Sequence, residues 1–198
     1  MKVILLCLTC LIYLSSCVSN IQEKERLGHY NNALLSFSSD QVSHFPHDLS
    51  SFTQWGFITF YPGSTKYNNK AGLFFIALAD SSFFRKTVKS LESKGFTNFP
   101  IYSDSLMLIG DTLKDYSSLT KGYPVPSFID IKDEFGVSSS RLNDRETIFI
   151  IEAKAGNFLE KNDNIKGLKL PEKWGHGYSR GITADFIENK LIYWLVIW

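Results

Sequence analysis

The sequence has 198 residues and a formal net charge of +1 at pH 7, and 44% of its residues are hydrophobic and 15% aromatic. This composition excludes a mostly disordered chain, because disordered segments contain few aromatic and apolar residues. The 21 basic and 20 acidic residues nearly balance, and no run of lysine and arginine supplies the basic surface that nucleic-acid binding requires. We therefore expect no nucleic-acid partner.

The chain begins with the pattern of a secretory signal. Lys2 gives a positive start, and an apolar segment from Val3 to Leu14 follows, interrupted only by Thr9. This segment is well short of the about 20 apolar residues that a membrane-spanning helix needs. A positive start, a short apolar core and small residues after it are typical of a cleaved signal peptide. We predict a signal peptide over residues 1–16; the alternative is an uncleaved anchor.

Residues Leu14-Ser15-Ser16-Cys17 resemble the lipobox of bacterial lipoproteins, in which a leucine, two small residues and a cysteine mark the cleavage point. The resemblance implies that Cys17 carries a diacylglyceryl group on its thiol and an acyl chain, such as palmitate, on its new amino group. Two or three acyl chains hold a protein firmly on a membrane, whereas one chain binds only marginally. Val18 stands where an aspartate favours inner-membrane retention in this family, so the resemblance implies the outer membrane. The alternative is an ordinary signal peptide with an incidental cysteine.

Cleavage before Cys17 would remove Cys7 and Cys10, the other two cysteines of the chain. The mature domain would then have no free thiol, disulfide or cysteine metal ligand, which excludes thiol catalysis and thiolate zinc sites. We predict a lipidated cysteine and a polar tether over residues 17–26. The absence of internal repeats and low-complexity linkers indicates a single globular domain over residues 27–198.

Two helices are predicted in this domain. The second begins after Asp80, whose side chain can accept hydrogen bonds from the first free amides, and ends at Lys94-Gly95. The apolar residues of both helices recur at helical spacing. They are Leu27, Tyr30, Leu34 and Phe37 in the first helix and Phe84, Val88 and Leu91 in the second.

Several segments rich in β-branched and aromatic residues are predicted to be strands. The strands are Ser51–Tyr61, Gly72–Ala79, Ile101–Tyr102, Leu106–Ile109, Phe128–Ile131, Thr147–Ile151, Tyr178–Ile187 and Leu191–Trp198. Residues 122–126 are predicted to be extended, because each residue before a proline is displaced from the helical region. In the first strand, alternation places Phe52, Ile58 and Phe60 on one face. The predicted fold is α+β: a mainly antiparallel sheet of about six strands, with one or two helices packed on it.

Two groups of polar residues are candidate metal sites. His44, His47 and Asp48 provide imidazole and carboxylate ligands within five residues, with His176 as a further ligand. Pro46 disfavours the helix that would align the two imidazoles, so a loop with solvated histidines is the favoured interpretation. A second group, Asp130, Asp133 and Glu134, lacks the spacing of a calcium loop and is interpreted as a solvated turn. We therefore predict no metal and no cofactor.

Residues 174–181 are the candidate ligand-binding segment. They combine glycines, which allow close backbone approach and positive φ, with aromatic, basic and hydroxyl side chains. In the binding interpretation, Arg180 binds a carboxylate or phosphate, Trp174 or Tyr178 stacks on a sugar or ring, and His176 lies beside them. A catalytic interpretation makes Ser179 a nucleophile and His176 its base. The structural alternative is a glycine-shaped turn with Arg180 paired to a nearby acid.

The last strand is apolar on both faces, since Leu191, Tyr193 and Leu195 alternate with Trp194 and other apolar residues. We predict that it is buried inside the sheet, because a long exposed apolar strand invites aggregation. The alternative is a binding surface that carries Trp194 and Trp198.

No known catalytic motif is present, so the sequence predicts a lipoprotein that binds a protein or glycan partner in the bacterial cell envelope, at the periplasmic face or the cell surface. Two alternatives remain. One is an envelope hydrolase that acts on glycan or peptide through residues 174–181. The other is a structural subunit of an envelope assembly, with Trp194 and Trp198 at the contact.

Overall fold

The computed structural model describes residues 22–61, 70–110, 114–127, 146–159 and 169–198. The predicted signal peptide and Cys17 lie outside these residues, as do the predicted strand Phe128–Ile131 and the acidic group at 130–134. The chain divides into two units, Met1–Ser39 and Asp40–Trp198. Within the described ranges, no helix combines the length and the apolar character that a membrane crossing needs.

In the first unit, residues 22–35 form helix α1. The helix therefore includes residues 22–26, which the sequence assigned to the tether. This segment is rich in glutamine, glutamate, lysine and arginine, all good helix formers, and Glu25 contacts His29 one turn later at 3.9 Å. In the predicted apolar stripe, Tyr30 and Leu34 are buried.

The second unit contains a six-stranded antiparallel sheet with the strand order β1–β2–β8–β7–β6–β3 and a separate parallel pair, β4–β5. The elements in chain order are α2 (Ser39–Val42), β1 (Phe52–Phe60), β2 (Ala71–Ala79), α3 (Ser81–Ser93), β3 (Thr97–Pro100), β4 (Leu106–Ile109), β5 (Tyr123–Pro126), β6 (Glu146–Ala155), β7 (Gly177–Asp185) and β8 (Lys190–Ile197). The α+β prediction with a mainly antiparallel sheet of about six strands is confirmed.

Strand β8 lies inside the sheet, between β2 and β7. Its side chains alternate between two faces, which we call the first face, carrying Trp194, and the second face, carrying Tyr193. Trp194 is fully buried and Trp198 is 2% exposed. The predicted burial of the last strand is confirmed, and these two rings do not form an exposed contact surface.

The two faces of the sheet have different covers. On the first face, Trp194 and Trp198 share a core with residues of β4 and β5, such as Met107 and Val125. On the second face lies α3, whose Phe83 ring is 5.2 Å from that of Phe52. Each face therefore contributes its own apolar layer, which explains why β8 is apolar throughout.

Helix α3 begins and ends as the sequence predicts. The Asp80 carboxylate caps it by accepting hydrogen bonds from the amides of Ser82 and Phe83, both at 2.9 Å. Gly95, which follows the last turn, has a φ of 68°, a conformation that glycine adopts without a steric cost. The stripe Phe84, Val88 and Leu91 is buried.

Two strand predictions are corrected by the structure. Ile101–Tyr102 form a turn, and the strand precedes them as β3, Thr97–Pro100. This strand lies at the edge of the sheet, where a proline is tolerated because its missing N–H breaks no ladder hydrogen bond. In β1, an irregularity between Phe52 and Gln54 shifts the alternation.

The shift in β1 separates Phe52 from Ile58 and Phe60. The Phe52 ring contacts Phe75 and Tyr193 on the second face, whereas Ile58 and Phe60 belong to the core on the first face. The predicted common face for these three residues is therefore wrong.

Candidate functional site

Trp174 lies in the core on the first face of the sheet. It ends a short 3-10 helix, Glu172–Trp174, and is 8% exposed. Its ring centroid is 6.2 Å from that of Trp198, whose indole N–H donates to the Trp174 carbonyl oxygen at 2.8 Å. Because the ring packs against the core, it is not presented for stacking on a ligand.

Tyr178 and Arg180 lie on the second face, because they stand opposite Ile197 and Leu195 of β8. The Tyr178 ring packs edge-on against Phe158 at a centroid distance of 4.7 Å. Burial and the neighbouring Glu152 carboxylate raise the pKa of Tyr178 to about 12. The structure does not bring Trp174 together with Tyr178 and Arg180, because these three predicted ligand residues are divided between the two faces.

His176 and Ser179 complete the predicted segment. His176 is half-buried, and its carbonyl oxygen accepts a hydrogen bond from the Gly156 amide. Ser179 faces the opposite side from Arg180, is fully buried, and its hydroxyl has no hydrogen-bond partner in the described part of the chain. A nucleophile needs access to its substrate, and Ser179 has none in this fold.

The glycines of this segment serve close packing. A Cβ at Gly177 would lie 2.7 Å from the Lys154 carbonyl oxygen, and one at Gly181 would overlap the Phe149 carbonyl oxygen and the Trp194 ring. Neither glycine has a positive φ. The predicted close backbone approach is therefore confirmed at these two positions, whereas the predicted positive φ is not found there.

Arg180 joins three parts of the chain. Its Nε and Nη2 atoms each lie 3.1 Å from Glu152 Oε2, which forms a partly buried ion pair on neighbouring strands. Its Nη1 donates to the Asp40 carbonyl oxygen and, at 2.8 Å, to the Ser43 hydroxyl. The guanidinium is therefore engaged by the protein itself and holds the segment that begins at α2 on β7.

The candidate metal ligands His44, His47 and Asp48 have other roles. His44 Nε2 lies 3.1 Å from the Trp194 carbonyl oxygen, and burial lowers the pKa of His44 to about 3. The neutral ring therefore donates from Nε2, while its buried Nδ1 has no hydrogen-bond partner among the described residues. His47 is exposed, and Asp48 accepts from the Ser50 amide at 2.9 Å. Across the described ranges, no three histidine, cysteine, aspartate or glutamate side chains are grouped to hold a metal ion.

A cleft of about 510 Å³ lies between α3 and the second face, beside the His44 segment; we call it the α3 cleft. Apolar side chains of the helix and the sheet, including Leu91 and Ile182, form part of its wall. Burial raises the pKa of Tyr193, which also lines the cleft and hydrogen-bonds to Thr87, so its phenol stays protonated. Volumes of this size are typical of small-molecule sites.

The charged residues that line the α3 cleft are all basic: Lys86, Lys94 and Arg180. Of these three residues, the sequence marked only Arg180 as a candidate ligand residue, because Lys86 and Lys94 belong to no recognisable motif. The only sequence signal is the spacing of Lys86, Ser90 and Lys94, which places them on one side of α3. The rest of the lining comes from segments far apart in the chain, so no local motif marks the cleft.

Comparison of the chain with protein-family models, with curated proteins and with solved structures gives no match.

Proposed function

We propose that the chain is a bacterial lipoprotein, anchored to the outer membrane through acyl chains on Cys17, whose folded part has a binding role in the cell envelope. The observation that carries the proposal is the sequence Leu14-Ser15-Ser16-Cys17 directly after a short apolar segment. This arrangement is what signal cleavage and lipidation at a single cysteine require, and two or three acyl chains give firm membrane attachment.

The α3 cleft supports a binding role rather than catalysis. It combines an apolar wall with a few convergent polar groups, which is the usual composition of a ligand site. His44, which lines it, is held neutral by burial and donates its Nε2 proton to a backbone carbonyl. A ring with a pKa of about 3 is a weak base at neutral pH. Ser179, the nucleophile of the alternative catalytic interpretation, is buried on the other face of the sheet.

Mass spectrometry of the full-length protein expressed in a bacterium tests the anchor. We expect a mature chain that begins at Cys17 and carries the added mass of its acyl chains, and we expect it in the membrane fraction. Cys17→Ala should abolish both the processing and the acyl mass. Cys10→Ala is the matched control, because it removes a thiol from the signal without touching the cleavage point. An intact Met1 terminus, or a Cys17 without lipid, contradicts the proposal.

Membrane separation on a density gradient tests the destination. We expect the native chain in the outer-membrane fraction and Val18→Asp in the inner-membrane fraction, as the resemblance to the lipoprotein family implies. A capture experiment from native envelope with the lipidated protein, compared with Cys17→Ala, then identifies protein or glycan partners. Recovery of the native chain from the inner membrane contradicts the proposed destination.

A further inference from the structure

We propose that the α3 cleft binds a small organic anion, namely a molecule with an apolar body and one carboxylate or phosphate group. The proposal rests on the binding role proposed above and names the ligand class for that role. It is carried by the charge of the cleft, by its apolar wall and by its size.

The charge of the cleft favours an anion. Of its three cationic side chains, Arg180 is already paired with Glu152 at 3.1 Å. Lys86 and Lys94 are different, since neither ammonium has an ion-pair partner in the described part of the chain. No aspartate or glutamate is among the described residues that line the cleft. A concave site with one sign of charge and low-dielectric walls concentrates ions of the opposite sign.

The wall of the cleft favours a ligand with an apolar body. The apolar lining comes from α3 and the segment after it, with Phe83, Leu91 and Phe96, and from β7, with Ile182. Burying apolar surface against such a wall is favourable by roughly 25 cal/mol per Å². An inorganic anion would leave this surface in contact with water, so the apolar wall selects an organic anion.

One hydroxyl group in the cleft offers such a ligand a further hydrogen bond. It belongs to Ser90, whereas the hydroxyl groups of Ser43 and Thr87, which also line the cleft, already hydrogen-bond to Asp40 and Tyr193. A hydroxyl donor beside two ammonium groups suits the oxygens of a carboxylate or phosphate, because hydrogen bonds to charged oxygens are stronger than neutral ones.

Three aromatic probes of similar shape test the proposal by calorimetry on the full-length protein in a neutral detergent. They are 2-naphthoate, 2-naphthyl phosphate and the uncharged 2-naphthamide. We expect saturable binding of at least one anion, with the amide weaker than that anion by roughly ten-fold or more. The two anions distinguish a carboxylate site from a phosphate site.

Two variants locate the binding. The double variant Lys86→Gln and Lys94→Gln should weaken anion binding by roughly ten-fold or more and leave the amide unchanged. Lys89→Gln is the matched control, since Lys89 is exposed on the same helix but does not line the cleft. An equal melting temperature for the three proteins verifies that each is folded.

The proposal is overturned if neither anion binds saturably, if the amide binds as tightly as the tighter anion, or if the double variant binds like the native chain. Mass spectrometry of each preparation shows whether the chain is lipidated, so a failure of anion binding can be distinguished from a failure of the proposed lipid anchor. If the lipidated chain does not bind the anions, the proposed ligand class is wrong and the proposed lipid anchor is supported. If an unlipidated chain binds the anions, the proposed lipid anchor is wrong and the proposed anion site is supported.

Discussion

Gly181 has no space for a side chain, and this single position tests how tightly β7 packs. A Cβ there would overlap the backbone of Phe149 and the ring of Trp194, neither of which can move away cheaply. We expect Gly181→Ala to lower the free energy of unfolding by roughly 1–3 kcal/mol or more, as overpacking does. Chemical denaturation of the two proteins measures the difference.

Gly175→Ala is the control for that measurement. Gly175 lies in the same segment and has an ordinary helical backbone conformation, and its Cβ would meet the Glu172 carbonyl oxygen at 3.4 Å, a normal contact. We expect a change within about 0.5 kcal/mol, which is usual for surface substitutions. Equal destabilisation by both alanines would contradict the assignment of close approach to Gly181.

The N-cap of α3 is a feature of one element, and its energy can be isolated. The Asp80 carboxylate accepts from two amides that have no partner within the helix. We expect Asp80→Ala to lower the free energy of unfolding by about 1 kcal/mol and Asp80→Asn to cost less, because asparagine also caps well. Denaturation curves for both variants check this order. A larger loss for asparagine than for alanine would contradict it.

A buried charge cluster on β6, β7 and β8 makes the stability of the sheet depend on pH. Glu146, Asp185 and Lys190 stand side by side on three neighbouring strands, with the Lys190 ammonium 3.1 Å from Glu146 and 3.5 Å from Asp185. Burial raises the pKa of Asp185, but hydrogen bonds from the amides of Ile187 and Glu188 and the charge of Lys190 outweigh it, so the net pKa lies below 3.8.

Because the folded-state pKa of Asp185 is lowered, its carboxylate stabilises the fold above pH 3.8, and the contribution is lost as the pH falls below that value. Asp185→Asn should therefore destabilise the protein by roughly 1–3 kcal/mol at neutral pH, and the difference from the native chain should shrink below pH 3.8. Glu188→Gln is the control, since Glu188 is exposed and lies 3.5 Å from the same lysine. A difference that grows in acid would contradict the argument.

At the scale of the whole molecule, the sequence predicted what depends on local periodicity. The cap and stop of α3, the two-sided apolar pattern of β8 and the class of the sheet all follow from spacing along the chain. It could not predict the irregularity at Phe52, because a bulge depends on the partner strand rather than on the alternation itself. It likewise could not place Trp174 and Arg180 on opposite faces. The pairing of β7 with β8 sets the face of Arg180, and packing against distant residues places Trp174 in the core on the first face.

The candidate site shows the same limit more strongly. The α3 cleft takes Ser43, Lys86 and Arg180 from segments separated by dozens of residues, and only the order of strands brings them together. The sequence marked Arg180 as a candidate residue because of its neighbours in residues 174–181. Its structural alternative paired Arg180 with a nearby acid but could not identify that acid as Glu152. Local chemistry was therefore predictable, and its assembly into one site was not.

The core on the first face depends on Trp198, which unites distant parts of the molecule. This residue pairs with Gly177 through both backbone hydrogen bonds, its indole donates to the Trp174 carbonyl oxygen, and its side chain is buried with Trp194. Removing the ring leaves a cavity and an unpaired carbonyl, so we expect Trp198→Ala to lower the free energy of unfolding by about 3–5 kcal/mol.

Trp198→Phe is a milder change, because it keeps an aromatic ring in the core while it removes the indole donor and part of the side-chain volume. We expect the loss of stability of Trp198→Phe to lie between zero and that of Trp198→Ala. Tyr102→Ala is the control, because Tyr102 is an aromatic residue that is 66% exposed, and we expect it to change the free energy of unfolding by no more than about 0.5 kcal/mol. Denaturant midpoints, with slopes compared to verify a common unfolding transition, measure all three. A Trp198→Ala loss no larger than that of Tyr102→Ala would contradict the argument that the core on the first face depends on Trp198.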